Sequence, residues 1–240
     1  MKTIALIPAR LESERFPNKL IKKLDGVPVI VRTYLSALNS KLFDQVYVVS
    51  GNDEIIDLIK SKDGLTFKSK QIHQSGTDRI AEAAKEIDHD IVVNLQGDEP
   101  FINIDAIDNL ISSFEDNSVK MSSLMTSFNS FDEINNPNNV KVTVDKNNNA
   151  IFFSRSPISH GKKDIKSFNR HIGVYAFRKK TLINFSRLNR SKNEISQNLE
   201  GNRAIDNLIS IKMIKIDFHG ISIDTEKDFI EAEKYLSKNA

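Results

Sequence analysis

Cysteine is absent from the 240 residues, which excludes disulfides, thiolate catalysis and cysteine-rich zinc sites. No apolar run has the length needed to cross a bilayer. The opening MKTIALIPARLESER carries an apolar stretch too short for an export signal, with charge following at once. A soluble, cytoplasmic protein without membrane insertion is the expectation. Charge of one sign is also lacking. Lys and Arg number 34 against 32 Asp and Glu, a formal net charge of +2, so no global field points to nucleic acid or an anionic membrane. Internal repeats and long linkers are missing too. What is there is a 39% hydrophobic chain, long enough for one large domain with a substantial core.

Apolar runs alternate with amphipathic stretches in the first half. The pattern predicts strands at 3–7, 45–49 and 91–95 and helices at 29–38, 53–59, 77–87 and 104–114. This β-α-β-α order with short connections implies a largely parallel sheet with helices on both faces. The middle changes character. Segments 121–127, 140–144, 150–154 and 171–177 read as strands, with turns at Asn136-Pro137 and Lys146–Asn149. A small antiparallel subdomain over about 121–177 within a single domain of 1–240 is the expected organisation. A helix over 197–208, a strand over 213–218 and a final helix follow, the last opened by a Thr225–Asp228 capping box. Residues 162–169 read as the most flexible stretch.

Pro8 to Lys19 follow the first strand, at the edge where open α/β sheets bind ligands. Arg10, Arg15 and Lys19 are spaced along this loop between Pro8 and Pro17. Dispersed cations suit a triphosphate and the charge that develops on a transferring phosphoryl group, although a solvated basic loop has the same composition. The segment matches neither the dinucleotide-binding nor the P-loop fingerprint. Strand 91–95 ends in Gln96-Gly97-Asp98-Glu99-Pro100. Gly97 allows a tight turn. Asp98 reads either as a Mg²⁺ ligand or as a cap for the helix near Ile104. Asp224 reads either as a second metal ligand or as a neighbour of the Thr225 cap. Ser75 and Thr77 can cap the helix that follows them.

The segments IPARLESERFPNKL, HQSGTDRIAEA, VVNLQGDEP, NPNNVKVTVD, AIFFSRSPI, RHIGVYAFR and IDTEKDF occur in order along nearly the whole chain. Together they resemble the 3-deoxy-manno-octulosonate cytidylyltransferase (CMP-Kdo synthetase) family. The resemblance implies a mostly parallel, Rossmann-like nucleotidyltransferase sheet. It implies a Mg²⁺-dependent homodimer that activates an acid sugar with CTP for lipopolysaccharide synthesis. Arg10, Arg15 and Lys19 would then hold the CTP phosphates, with Arg10, Lys19 and Asp98 catalytic. Pro8, Ala9, Ser75 and Gly76, with Gln96, would cradle the nucleotide. Asp98 and Asp224 would hold Mg²⁺. Gln96, Arg155, His171, Tyr175 and Glu200 would line the sugar site.

Two segments depart from the family pattern, both on the sugar side. Glu200-Gly201 stands where most members carry Glu-Gln, which predicts a lost contact to a sugar hydroxyl. Ile158–Lys162 lacks the usual Pro and aromatic residue. A site built to hydrogen-bond a hydroxyl discriminates strongly, so a variant ulosonate such as an 8-amino-8-deoxy sugar is a second reading. A non-catalytic sensor of nucleotide or sugar is a third.

Overall fold

Thr3–Ala9 (β1) is buried at every position, as a central parallel strand covered on both faces must be. The computed structural model describes residues 1–13, 15–158, 164–217 and 222–239. They form two compact units, one of Met1–Ile107 with Gly220–Ala240 and one of Asp108–His219.

In the first unit β1 leads through a long loop to a hairpin of Lys23–Leu24 (β2) and Val27–Pro28 (β3). Its two-residue turn is Asp25-Gly26, with φ of 48° and 76°, the geometry a type I′ turn demands. Val29–Asn39 (α1) then buries Val29, Ile30, Val31, Thr33, Tyr34 and Ala37. Gln45–Ser50 (β4), Asp53–Lys60 (α2), Leu65–Lys68 (β5), Gly76–Glu86 (α3) and Ile91–Asn94 (β6) complete the alternation. Strands β4 and β6 flank β1 and β5 adds outside β4, every pairing parallel. The order β6-β1-β4-β5 places the C-terminal ends of β1 and β6 side by side. The β1 loop and the Gln96–Pro100 turn therefore emerge together. Ile104–Ser112 (α4) leads out of this unit, its first turn closed by Asn103, whose Oδ1 accepts from the Ala106 amide at 2.7 Å.

The second unit holds Met121–Ser127 (β7), Phe131–Asn135 (α5), Lys141–Val144 (β8), Ala150–Ser154 (β9), Asn169–Arg178 (β10), Lys179–Phe185 (α6), Lys192–Gln197 (α7), Gly201–Asp206 (α8) and Lys212–Lys215 (β11). The pairs β7–β10, β8–β10 and β8–β9 are antiparallel, and β11 joins β7 in parallel. Of the helix expected over 197–208 only Gly201–Asp206 (α8) forms, and Lys192–Gln197 (α7) is a separate helix ahead of it. Asn198 adopts φ 51° and ends α7 in the left-handed region, a C-terminal conformation asparagine tolerates. The stretch expected to be most flexible lies partly outside the described residues. Its described part includes Ser167 and Phe168, which close a turn onto Asp164 and Ile165.

The chain returns to the first unit with Glu226–Asn239 (α9). Its capping box forms as expected. The Thr225 amide donates to Asp228 Oδ2 at 2.7 Å, and the Asp228 amide donates to Thr225 Oγ1 at 3.3 Å.

Candidate active site

Gly97 turns the chain where β6 ends, and it has no room for a side chain. A Cβ there would lie 3.1 Å from the Pro8 carbonyl and 3.2 Å from Ile30. A Cβ on Gly76 would lie 3.0 Å from the Pro8 ring and 3.6 Å from Gln96 Oε1. Pro8, Gly76, Gln96 and Gly97 thus meet at one sheet edge. Arg79 ties α3 to β1 by donating to the Ala9 carbonyl at 2.6 Å. Ser75 caps α3, accepting from the Asp78 amide at 3.0 Å. Thr77 is no cap. It is buried and accepts from Asn94 Nδ2 at 2.9 Å.

Lys19 sits between two carboxylates. Its Nζ donates to Asp98 Oδ2 at 2.5 Å and to Asp224 Oδ1 at 3.1 Å, and Arg15 Nη2 donates to the same Asp224 oxygen at 3.2 Å. Burial opposes the ammonium, but Asp98 and then Asp224 outweigh it and raise its pKa. Glu99 is next door. Its desolvation, with the charges of Asp98 and Asp224, pushes its carboxyl up to about 8. Asp98 does not cap α4, because Asn103 does. Asp224 does lie beside the α9 cap, its amide donating to Asp228 Oδ2 at 3.1 Å, while its side chain accepts from Lys19 and Arg15. The Asp98 side chain is therefore free of the capping role that competed for it, and Asp224 holds both places at once. Arg10 is exposed and makes no hydrogen bond or ion pair among the described residues. It lies near enough to Arg79 to depress that guanidinium's pKa, after burial.

A further device precedes Ser75. Glu82 on α3 accepts from Ser69 Oγ at 2.6 Å and the Lys70 amide at 2.9 Å, and its Oε2 lies 2.7 Å from His73 Nε2. Burial alone would raise the Glu82 pKa. The bonds from Ser69, His73 and Lys70 reverse that and lower it. The pattern His73 to Glu82 lies in the sequence, but nothing in its spacing signals that a helix carboxylate clamps the preceding loop.

In the second unit a bulge in β10 builds the aromatic group. Ile172 pairs with Leu124, yet Tyr175 pairs with Ser123, so two extra residues are accommodated. In a regular strand His171 and Tyr175 would stand about 13 Å apart; here their ring centroids are 5.3 Å apart. Phe153 closes the group edge-on to His171 at 4.7 Å. His171 Nε2 lies 2.9 Å from Ser123 Oγ, whose hydroxyl donates to the Val174 carbonyl at 2.8 Å. Burial drives the His171 pKa down to about 3. Tyr175 is raised by burial, Glu200 and Glu194, against which the Gly201 amide bonded to it works weakly. Arg155 lies in the same unit, bonded to Gln197 and Pro137.

Gly201 has a steric reason. A Cβ there would lie 2.6 and 2.7 Å from the Phe153 ring and 3.0 Å from the Tyr175 hydroxyl. The space beside the missing side chain is filled by aromatic carbon rather than left open. The departure at Ser159–Lys162 lies outside the described residues.

His171 makes stability depend on pH. Its unfolded-state pKa is about 6.5 and its folded one about 3. The unfolded chain thus binds a proton that the folded one refuses, so the contribution is present above pH 6.5 and is lost as pH falls toward 3. The slope is at most about 1.4 kcal/mol per pH unit. Chemical denaturation at several pH values should show wild type losing stability faster on acidification than His171→Gln. Parallel curves for the two would contradict a buried neutral imidazole.

Comparison with known proteins covers both units. A family model described as cytidylyltransferase matches residues 4–223. The 3-deoxy-manno-octulosonate cytidylyltransferase of Flavobacterium johnsoniae is 46% identical over 98% of this chain and 99% of its own. That of Christiangramia forsetii is 43% identical over 98% of this chain and 97% of its own. Among solved structures, a CMP:2-keto-3-deoxy-manno-octonic acid synthetase complexed with CTP superposes with a TM-score of 0.94 at 30% identity, covering all of both chains. A 4-diphosphocytidyl-2C-methyl-D-erythritol synthase from Anaerococcus prevotii shares the fold, with a TM-score of 0.68 at 16% identity over 98% of each chain.

Proposed function

The chain belongs to the 3-deoxy-manno-octulosonate cytidylyltransferases, and from that premise we propose that it transfers CMP from CTP to the anomeric hydroxyl of a 3-deoxy-manno-octulosonate, with release of pyrophosphate. The observation that carries this reading is the Lys19 ammonium clasped by Asp98 and Asp224 beside the Pro8–Gly76–Gln96 cradle.

Two carboxylates that converge on one cation are a donor set that fits Mg²⁺, a hard ion that takes oxygen ligands. Among the described residues no third His, Asp or Glu completes a protein cage, so water and phosphate oxygens would fill the remaining positions. Asp98 and Asp224 would hold the ion, which when bound would draw charge from the α-phosphate and make the attacking hydroxyl more acidic. Lys19, now held by the carboxylates, would pass to the phosphates, and Arg10 and Arg15 would offset the charge of the departing pyrophosphate. Pro8, Ala9, Ser75 and Gly76 would cradle the cytidine. Arg155, His171, Tyr175 and Glu200, with Gln96, would hold the acid sugar. The same family reading extends to a cytoplasmic homodimer serving lipopolysaccharide synthesis.

Gly201, packed against Phe153 and Tyr175, favours a second reading, the same chemistry on a variant ulosonate. Pyrophosphate release measured with CTP, Mg²⁺ and a panel of ulosonates tests both. The expected outcome is turnover with 3-deoxy-manno-octulosonate at the highest kcat/KM. A large preference for the 8-amino-8-deoxy sugar would transfer the proposal to that acceptor. Release of no pyrophosphate with any member would overturn it.

A further inference from the structure

The Glu82 side chain on α3 is 13% exposed. Among the described residues, every hydrogen bond it accepts comes from the loop between β5 and α3. Ser69 Oγ and His73 Nε2 reach one oxygen, and the Lys70 amide reaches the other. Ile72, the apolar residue of this stretch, is fully exposed, so burial does not hold the loop. Its upstream end is tied to β4, the Ser69 amide donating to the Ser50 carbonyl at 2.9 Å. Its downstream end is Ser75-Gly76, so close to Pro8 that a Cβ on Gly76 would press on the ring. Between these ends the course of the chain is set by Glu82. Desolvating a carboxylate is costly, and what it achieves here is a fixed loop.

The same helix holds the facing segment. One turn before Glu82, Arg79 donates to the Ala9 carbonyl. Ala9 and Ser75-Gly76 are the backbone segments that the proposed function places around the cytidine. A single helix thus fixes both, by a cation on one and an anion on the other.

Cytosine and uracil share one outline and differ in which edge positions donate and which accept hydrogen bonds. A site built for one pattern leaves its own groups unpaired against the other, provided those groups stay in place. A loop free to shift re-pairs with either base. We propose that Glu82 and His73 are positioning residues that determine nucleotide specificity: the carboxylate, through the imidazole, holds the Ser75-Gly76 turn where it accepts cytosine and rejects uracil. Neither side chain touches the nucleotide. The inference deepens the cytidine assignment of Ser75 and Gly76 given above and rests on it.

The test compares CTP with UTP in the full-length enzyme with Mg²⁺, by calorimetric binding of each nucleotide and by kcat/KM with 3-deoxy-manno-octulosonate. The proteins are wild type, Glu82→Ala, His73→Leu and His73→Gln. Wild type prefers CTP at least about a hundredfold. Glu82→Ala and His73→Leu each cut that preference about tenfold, while His73→Gln, whose amide still donates to Glu82, keeps it within about threefold. A merely structural clamp would lower CTP and UTP alike. An unchanged CTP-to-UTP ratio in folded Glu82→Ala and His73→Leu therefore overturns the inference. So does a His73→Gln as unselective as His73→Leu, because the bond to Glu82 is then not what matters. Failure of both Glu82→Ala and His73→Leu to fold also overturns it, since it marks a support of the whole unit. Wild type that binds UTP as tightly as CTP overturns instead the cytidine reading on which the inference stands. Wild type that selects CTP but turns over no ulosonate overturns the acceptor reading alone, and the binding ratios then decide the inference.

Discussion

Asp98→Asn leaves the protein folded and lowers CMP transfer by about a thousandfold. The fold survives because the Asp98 side chain caps no helix. Asn103 closes α4, and the contact that Asp98 makes to the Ile223 amide uses its backbone carbonyl, at 2.9 Å, which asparagine retains. On the proposed assignment activity does not survive, because a neutral amide is a poor partner both for the dication proposed at Asp98 and Asp224 and for the Lys19 ammonium. Removing this anion also relieves Glu99, whose carboxyl is held near 8 by burial and by the charges of Asp98 and Asp224. The Glu99 pKa in Asp98→Asn should fall, while burial, the larger cause, still holds it above the ordinary carboxylate range. Thermal denaturation alongside the kinetics checks both halves. A variant that transfers CMP at near wild-type rate with Mg²⁺ would mean that the metal assignment is wrong.

Arg203→Met is expected to cost about 3–5 kcal/mol of stability. Arg203 is 2% exposed and Glu194 is 3% exposed. The guanidinium donates to both Glu194 oxygens, at 2.7 and 2.8 Å, and lies over the Phe185 ring at 4.6 Å. Methionine replaces the packing but strands a buried carboxylate, with the half-exposed Arg190 at 3.3 Å the cation left beside it among the described residues. For a chain of this length that loss corresponds to a fall of roughly 10 °C in melting temperature. Glu194→Gln in the same background should recover much of it, since the stranded charge is then gone. A double variant no more stable than Arg203→Met would show that the loss comes from packing instead.

The first unit was readable because its signals are local. β1, β4 and β6 are apolar runs, and α1 to α3 repeat at helical spacing, so the parallel alternation follows from periodicity alone. The Asp25-Gly26 turn was equally local but went unread, because its flanking strands are two residues each and show no alternation. Other features are not local. Nothing in the sequence between residues 171 and 175 shows that two extra residues are absorbed opposite Leu124 and Ser123, yet that bulge is what brings His171 to Tyr175. The break at Asn198 was hidden because asparagine is tolerated inside a helical pattern as well as at its end.

The site divides in the same way. Lys19, Asp98 and Asp224 were nominated by motif, against a solvated basic loop, a cap for α4 and a place beside the Thr225 cap. Only the fold gives the α4 cap to Asn103 and puts the lysine between the two carboxylates. Glu82 was not nominated at all. It acts on the backbone of another segment, and such a contact leaves no spacing to read. At Gly201 the expectation of a missing contact stands beside a further fact, that Phe153 and Tyr175 already occupy the room a side chain would need.

The most direct measurement is the ³¹P spectrum of CTP, Mg²⁺ and 3-deoxy-manno-octulosonate mixed with wild type and, separately, with Asp98→Asn. With wild type the α-phosphorus signal of CTP should move to that of a sugar phosphodiester, one for one with the appearance of pyrophosphate, and with Asp98→Asn the spectrum should remain that of CTP. Inorganic phosphate and CDP, free CMP without a sugar phosphodiester, or an unchanged spectrum with wild type would contradict transfer of CMP to the sugar.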